Sequence, residues 1–252
     1  MEKVAIITGA SGGLGSAMAR QFAADGTRVV VNCNRSREAA QSVAEEINSA
    51  SPGMAMVCKA DVGSYQEVQG MVAQTLKTWG RIDILVNNAG AFPVGTSFPT
   101  GSRREGSLII DMEEDEWDWF ISSQLKGPFN CIKAVAPHMI EQREGHIINV
   151  GAIIGFKGYA GKSAYAAAKG GLIGLSRTAA RELGQYNIKV NMVIPGPVPH
   201  PRLEWVFHPG DKKQGVLGRD QTPEEFALFI VNLSKLQNVS GQIFDLENRI
   251  AL

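Results

Sequence analysis

Three groups of residues in this 252-residue chain have types and spacings suited to chemistry. The first is the turn Gly9-Ala10-Ser11-Gly12-Gly13-Leu14-Gly15, set between a β-branched apolar run and the helix-like AMARQFAADG. Strand, turn and helix in that order can present backbone N–H groups to a pyrophosphate. Glycine serves where a Cβ would block the turn, the phosphate or the helix–strand contact. The spacing of Gly9, Gly13 and Gly15 is GxxxGxG rather than GxGxxG, and a tight βα connection alone would use the same residues. The second group, Asn34 and Arg35, ends the run Val31-Asn32-Cys33-Asn34-Arg35-Ser36. No acid is present there to accept from a ribose 2′-hydroxyl. Arg35 suits a 2′-phosphate, so NADP is expected over NAD, with NAD as the other option. The third group is Tyr165 and Lys169, which share one helix face at i and i+4. A nearby ammonium lowers a phenol pKa that is ordinarily near 10, toward the range useful for proton transfer. The same pair also occurs as plain neighbours on a helix.

The elements that must position these groups alternate along the chain. Strands are expected at 4–8, 28–33, 54–59, 82–87, 146–150, 188–194 and 242–246, and helices at 13–24, 37–50, 64–79, 113–141 and 163–182. Seven apolar strands separated by helices imply a seven-stranded parallel sheet covered on both faces, an α/β Rossmann-type doubly wound fold. Neither a repeat nor a composition break divides the chain, so 1–252 reads as a single domain. Two connections are long: a Gly/Pro/Ser-rich stretch at about 91–110 and a proline-rich one at about 195–219. They suit a substrate wall and a substrate lid. Arg103 and Arg104 read more readily as solvated arginines than as contacts for an anionic group.

Composition removes several classes. Lysine plus arginine and aspartate plus glutamate both number 25, so the chain lacks the basic excess expected of a nucleic-acid or anionic-membrane binder. Cys33, Cys58 and Cys131 are scattered and suit a reducing compartment. The short apolar N-terminal run is not a signal core, and a cytoplasmic protein is expected. His138 and His146 read as structural. His200 and His208 lack carboxylate partners at metal-ligand spacing, so no metal is expected. The acidic run at 111–118 suits an exposed helix start.

Further motifs follow in order: Asp61-Val62, Asn87-Asn88-Ala89-Gly90, Tyr165-Ala166-Ala167-Ala168-Lys169 and Pro195-Gly196. With TGASGGLG they resemble the short-chain dehydrogenase/reductase family, in its branch of about 250 residues, over nearly the whole chain. The resemblance implies that Asp61 and Val62 border an adenine and that Asn88, Ala89 and Gly90 line the cofactor cleft. It implies that Pro195, Gly196 and Val198 cover a nicotinamide, that Tyr165 exchanges a proton, and that Lys169 assists it. It further implies interconversion of a carbonyl and an alcohol on a small organic substrate, and a homodimer or homotetramer.

Three positions depart from the family pattern. Ala152 stands where a serine usually donates to the substrate carbonyl. Losing such a donor typically costs a hundred- to a thousandfold, roughly 2.7–4 kcal/mol. Gln124 replaces an asparagine of the proton relay, and His200 replaces a threonine. Ser163, Ser122, Ser123 and Tyr159 are other hydroxyl donors. Two other readings fit the departures: a nucleotide-binding scaffold or regulator impaired in catalysis, and a lyase or isomerase on the same fold.

Overall fold

Seven short runs rich in Val and Ile form the sheet: β1 (Val4–Ile7), β2 (Arg28–Cys33), β3 (Ala55–Lys59), β4 (Ile84–Asn87), β5 (Gly145–Val150), β6 (Ile188–Ile194) and β7 (Ile243–Asp245). The computed structural model describes residues 2–90, 107–196, 198 and 216–248. Within it the strands pair in the order β3-β2-β1-β4-β5-β6-β7, every pairing parallel. The order reverses between β1 and β4, which opens a crevice at their carboxyl ends.

Side-chain alternation builds two cores. Ile7, Val29 and Val31 pack with Phe22, Phe226 and Ile230 on one face, while Ile6, Val30 and Leu85 pack with Met71, Val135 and Leu183 on the other. The covering helices are α1 (Gly13–Ala24), α2 (Arg37–Ala50), α3 (Tyr65–Trp79), α4 (Glu114–Ile121), α5 (Gly127–Gln142), α6 (Ile154–Lys157), α7 (Ser163–Gly184) and α8 (Pro223–Lys235). Strand limits coincide with expectation at eight of the fourteen ends and differ by one or two residues at the other six.

Two differences are larger. The single helix expected at 113–141 is interrupted by a π-helical turn at Ser122–Lys126, which separates α4 from α5. The helix α8 was not expected, although its start is well marked. Thr222 and Glu225 form a reciprocal capping box, with Pro223 in the first turn. Among the described residues, no helix is long and apolar enough to cross a membrane.

Far from the carboxyl ends of the strands, His146 is buried at the start of β5 with Nε2 3.0 Å from Asn191 Nδ2. Burial pushes its pKa down to about 4; Lys189 and Lys3 lower it further, against a contact from the Ser234 backbone. Its surroundings also include Asp83, Glu144 and Gln237. An unfolded histidine titrates near 6.5, so the unfolded chain holds more protons between pH 6.5 and about 4. Stability therefore falls as pH drops through that window, by about 2 kcal/mol from this residue between pH 7 and 5. Urea unfolding at the two pH values should show a smaller drop for His146→Gln than for the natural chain. Equal drops would contradict the assignment.

Candidate active site

The glycine turn is fixed from below by its neighbours. Gly9 N donates to Asn32 Oδ1 at 3.1 Å, Ala10 N donates to the Asn32 carbonyl at 2.7 Å, and Asn32 Nδ2 reaches the carbonyls of Cys58 and Ala60. From β4, Asn88 Nδ2 donates to the carbonyls of Thr8 (2.9 Å) and Gly9 (3.2 Å), while Thr8 Oγ1 accepts from the backbone of Asn88 and Ala89. The packing leaves no room for side chains at two positions. A Cβ on Gly9, whose φ is +65°, would lie 2.9 Å from Ala89 Cα. One on Gly15 would lie 2.3 Å from the Gly9 carbonyl oxygen.

Gly12 is different, since a Cβ there would meet nothing within 4 Å. No side chain caps α1, and its first turn holds no acid. The turn at Ser11, Gly12, Gly13 and Leu14 therefore combines open space with a helix amino terminus, and a dinucleotide phosphate fits it.

The ribose end is partly cationic. Asn34 and Arg35 are exposed just beyond β2. Burial raises the Cys33 thiol pKa, and Arg37 and Lys59 pull against that shift, so both cations lie near the strand end. Neither cation stands in a motif that marks it in the sequence. Asp61 and Val62 follow β3. Asp61 Oδ1 accepts from Gly63 N at 2.8 Å, and the Val62 carbonyl accepts from Asn130 Nδ2 at 2.9 Å.

Tyr165 and Lys169 lie on α7, with the ammonium nitrogen 5.9 Å from the phenol ring centre. The Tyr165 ring packs against Phe120 of α4 at 5.6 Å, beside Met112 and Trp119. Lys169 is buried and its Nζ donates to the Val150 carbonyl at 2.9 Å. From i, i+4 spacing alone the lysine would lower the phenol pKa. In the structure, burial dominates and raises it, because removal from water disfavours the phenolate. Burial also pushes Lys169 down to about 8, which weakens it as a fixed positive charge near neutral pH. The phenol is therefore protonated at neutral pH.

The π turn carries Gln124, which is 1 % exposed and packed against Gly90. Both its amide oxygen and its amide nitrogen lack a hydrogen-bond partner. Burying a polar group unpaired costs roughly 1–3 kcal/mol, and such groups and π turns both concentrate at functional sites. Glu116 lies eight residues earlier, with Phe120 midway, on the same buried face. It was expected among exposed helix-start acids but is 1 % exposed, accepting from Ser107 Oγ at 2.6 Å. Ala152 follows β5 and offers no hydroxyl.

Pro195, Gly196 and Val198 lie beyond β6, with Gly196 N donating to Gln221 Oε1 at 3.1 Å. Arg103, Arg104, His200 and His208 lie outside the described residues, as do most of the two long connections. Among the described residues, no group of three His, Cys, Asp or Glu side chains could hold a metal.

A family model described as short chain dehydrogenase matches residues 3–205. A 3-oxoacyl-(acyl-carrier-protein) reductase FabG of Staphylococcus epidermidis is 42 % identical over 196 residues, 78 % of this chain and 75 % of that protein. One from Thermotoga maritima is 34 % identical over 257 residues, 99 % of this chain and 98 % of that protein. A crystal structure of a short chain dehydrogenase from Bacillus anthracis superposes with a TM-score of 0.84 at 32 % identity, covering 98 % of this chain and 95 % of that one.

Proposed function

Because the chain belongs to the short-chain dehydrogenase family, and with it to the NAD(P)-dependent oxidoreductases, we propose that it reduces the keto group of a 3-oxoacyl thioester. The observation carrying this reading is the Tyr165 phenol, held protonated by burial on the helix that also carries Lys169. The substrate class comes from the printed names of the relatives. When bound, a reduced nicotinamide would supply the hydride. As the carbonyl carbon accepts it, Tyr165 gives its proton to the oxygen and the product is a 3-hydroxyacyl thioester.

Lys169 orients the ribose and supports the phenolate that Tyr165 becomes. Gly9, Ser11, Gly13, Leu14 and Gly15 hold the pyrophosphate, with Asp61, Val62, Asn88, Ala89 and Gly90 beside the adenine and the cleft. Pro195, Gly196 and Val198 cover the nicotinamide. Arg35, assisted by Arg37 and Lys59, favours the 2′-phosphate of NADP. The unpaired amide of Gln124 offers the polar group that Ala152 lacks, through a bound water or directly. The protein works in the cytoplasm as a homodimer or homotetramer. The small residues of α7 also serve within one chain, since Gly171 makes room for Leu125.

The test follows nicotinamide absorbance with a short 3-oxoacyl thioester and either NADPH or NADH, for the natural chain and Ala152→Ser. Turnover of the natural chain with NADPH, faster than with NADH and not raised tenfold by the serine, is expected. An inert natural chain that Ala152→Ser awakens would instead favour the nucleotide-binding reading.

A further inference from the structure

A buried polar chain joins the helix that carries Tyr165 to the centre of the sheet. Asn87 of β4 and Asn149 of β5 are register partners on neighbouring strands. Asn87 Nδ2 donates to Asn149 Oδ1 at 2.8 Å, and Asn149 Nδ2 donates to Ser176 Oγ of α7 at 2.8 Å. Ser176 Oγ then donates to the Leu172 carbonyl at 2.7 Å. All three side chains are buried, Asn149 completely.

The residue just after β4 is Asn88, whose amide ties down the glycine turn. Two adjacent asparagines thus connect the phosphate turn on one side with α7 on the other.

The position of Ser176 on its helix gives this chain its consequence. Ser176 comes eleven residues after Tyr165, which is three helical turns plus only about 20°, and Lys169 lies about 40° from the same line. The three residues share a face. A hydrogen bond anchoring Ser176 to the sheet therefore sets the rotation of α7 about its axis, and with it the direction of the phenol about 16 Å away. Apolar packing alone would fix this rotation less sharply. The helix packs into the core on one face of the sheet through Ala179, Ala180 and Leu183, small or flexible contacts that tolerate slight rolling. The Asn87–Asn149–Ser176 hydrogen bonds resist such a roll, since it would strand further members without partners, as Asn87 Oδ1 already is.

We propose that Asn149 and Ser176 are positioning residues for the reaction, holding α7 at the rotation that aims Tyr165 and Lys169 into the crevice. This rests on the reading of Tyr165 as proton donor. Neither residue touches substrate or cofactor in this assignment.

The test compares Ser176→Thr with Ser176→Val, which differ in the hydroxyl but have nearly the same shape. The threonine variant should keep the natural turnover within about twofold. The valine variant should lose about tenfold or more in kcat with a clearly smaller rise in the KM for NADPH, since Tyr165 reacts while Lys169, which shifts with it, only orients the cofactor. Ser176→Ala, with less bulk to accommodate, should behave like valine. Urea unfolding of each variant sets assay conditions in which all are folded.

Hydrogen exchange of the backbone amides of Ala166 to Lys169 provides a reading independent of turnover. It should be faster in the valine variant than in the threonine variant, with protection in β1 and β2 unchanged. Equal kcat for valine and threonine variants overturns the proposal. So does a loss in the valine variant shared equally by kcat and NADPH affinity. If the natural chain turns over no keto thioester, the reading of function fails, and equal exchange in the two variants then overturns the positioning role separately.

Discussion

Tyr165→Phe is expected to lower keto-thioester turnover by about a thousandfold while leaving NADPH affinity within about twofold. The ring of Tyr165 packs on Phe120 at 5.6 Å in a cluster with Met112 and Trp119, and phenylalanine keeps that packing. Only the hydroxyl is lost. In the proposed reaction that hydroxyl gives the proton the carbonyl oxygen needs as the hydride arrives, and general acid catalysis contributes about 10²–10⁴-fold. No hydroxyl at position 152 can take over, since alanine stands there.

Burial raises the phenol pKa, so the acid form persists through neutral pH, and a decline in reduction toward alkaline pH should follow the loss of charge on Lys169, which burial pushes down to about 8. A Tyr165→Phe enzyme with turnover within tenfold of the natural one would place the proton donor elsewhere.

The second large effect concerns two glycines that look alike in the sequence. Gly15→Ala puts a Cβ 2.3 Å from the Gly9 carbonyl oxygen, 2.7 Å from Asn88 Nδ2 and 2.9 Å from Ala10 Cα. Two of those atoms are backbone and the third is tied by hydrogen bonds to Thr8 and Gly9. The turn must open, with a loss of about 1–3 kcal/mol in stability and a loss of NADPH affinity of a hundredfold or more.

Gly12→Ala has nothing to meet within 4 Å, and its φ of −178° is extended backbone that alanine adopts. Its unfolding midpoint should match the natural protein, yet NADPH affinity should fall by about tenfold or more, because the methyl group enters the space assigned to the phosphate. Fluorescence titration with NADPH beside urea unfolding separates the two. Unchanged NADPH affinity in Gly12→Ala would remove the phosphate from this turn.

Much of the architecture was legible because its signals are local. A β-branched run flowing into a glycine turn and then a helix marks β1 and α1, and the repetition of strand and helix implies the parallel sheet. The helix α8 carries an explicit capping box, but it follows closely on the proline-rich stretch at 195–219, whose irregular composition masks its start.

The site was legible as residue types but not as environments. Tyr165 and Lys169 could be paired from spacing. That burial would raise the phenol and depress the ammonium depends on what α4 brings against α7 from distant sequence. The same holds for Gln124 and Glu116. Their i, i+8 separation shows a shared helix face, but only packing shows that the face is buried and that the amide goes unpaired. Asn149 and Ser176 carry no local signal at all, since their pairing spans 27 residues and a change from strand to helix.

The measurement that addresses the central claim most directly is a single-turnover experiment with the natural chain. Protein in excess is loaded with NADPH, its binding is verified by fluorescence, and a short 3-oxoacyl thioester is added while nicotinamide absorbance is followed. The account predicts loss of the reduced-nicotinamide absorbance with one 3-hydroxyacyl thioester formed per cofactor oxidised. Firm NADPH binding with no oxidation of the cofactor would contradict it.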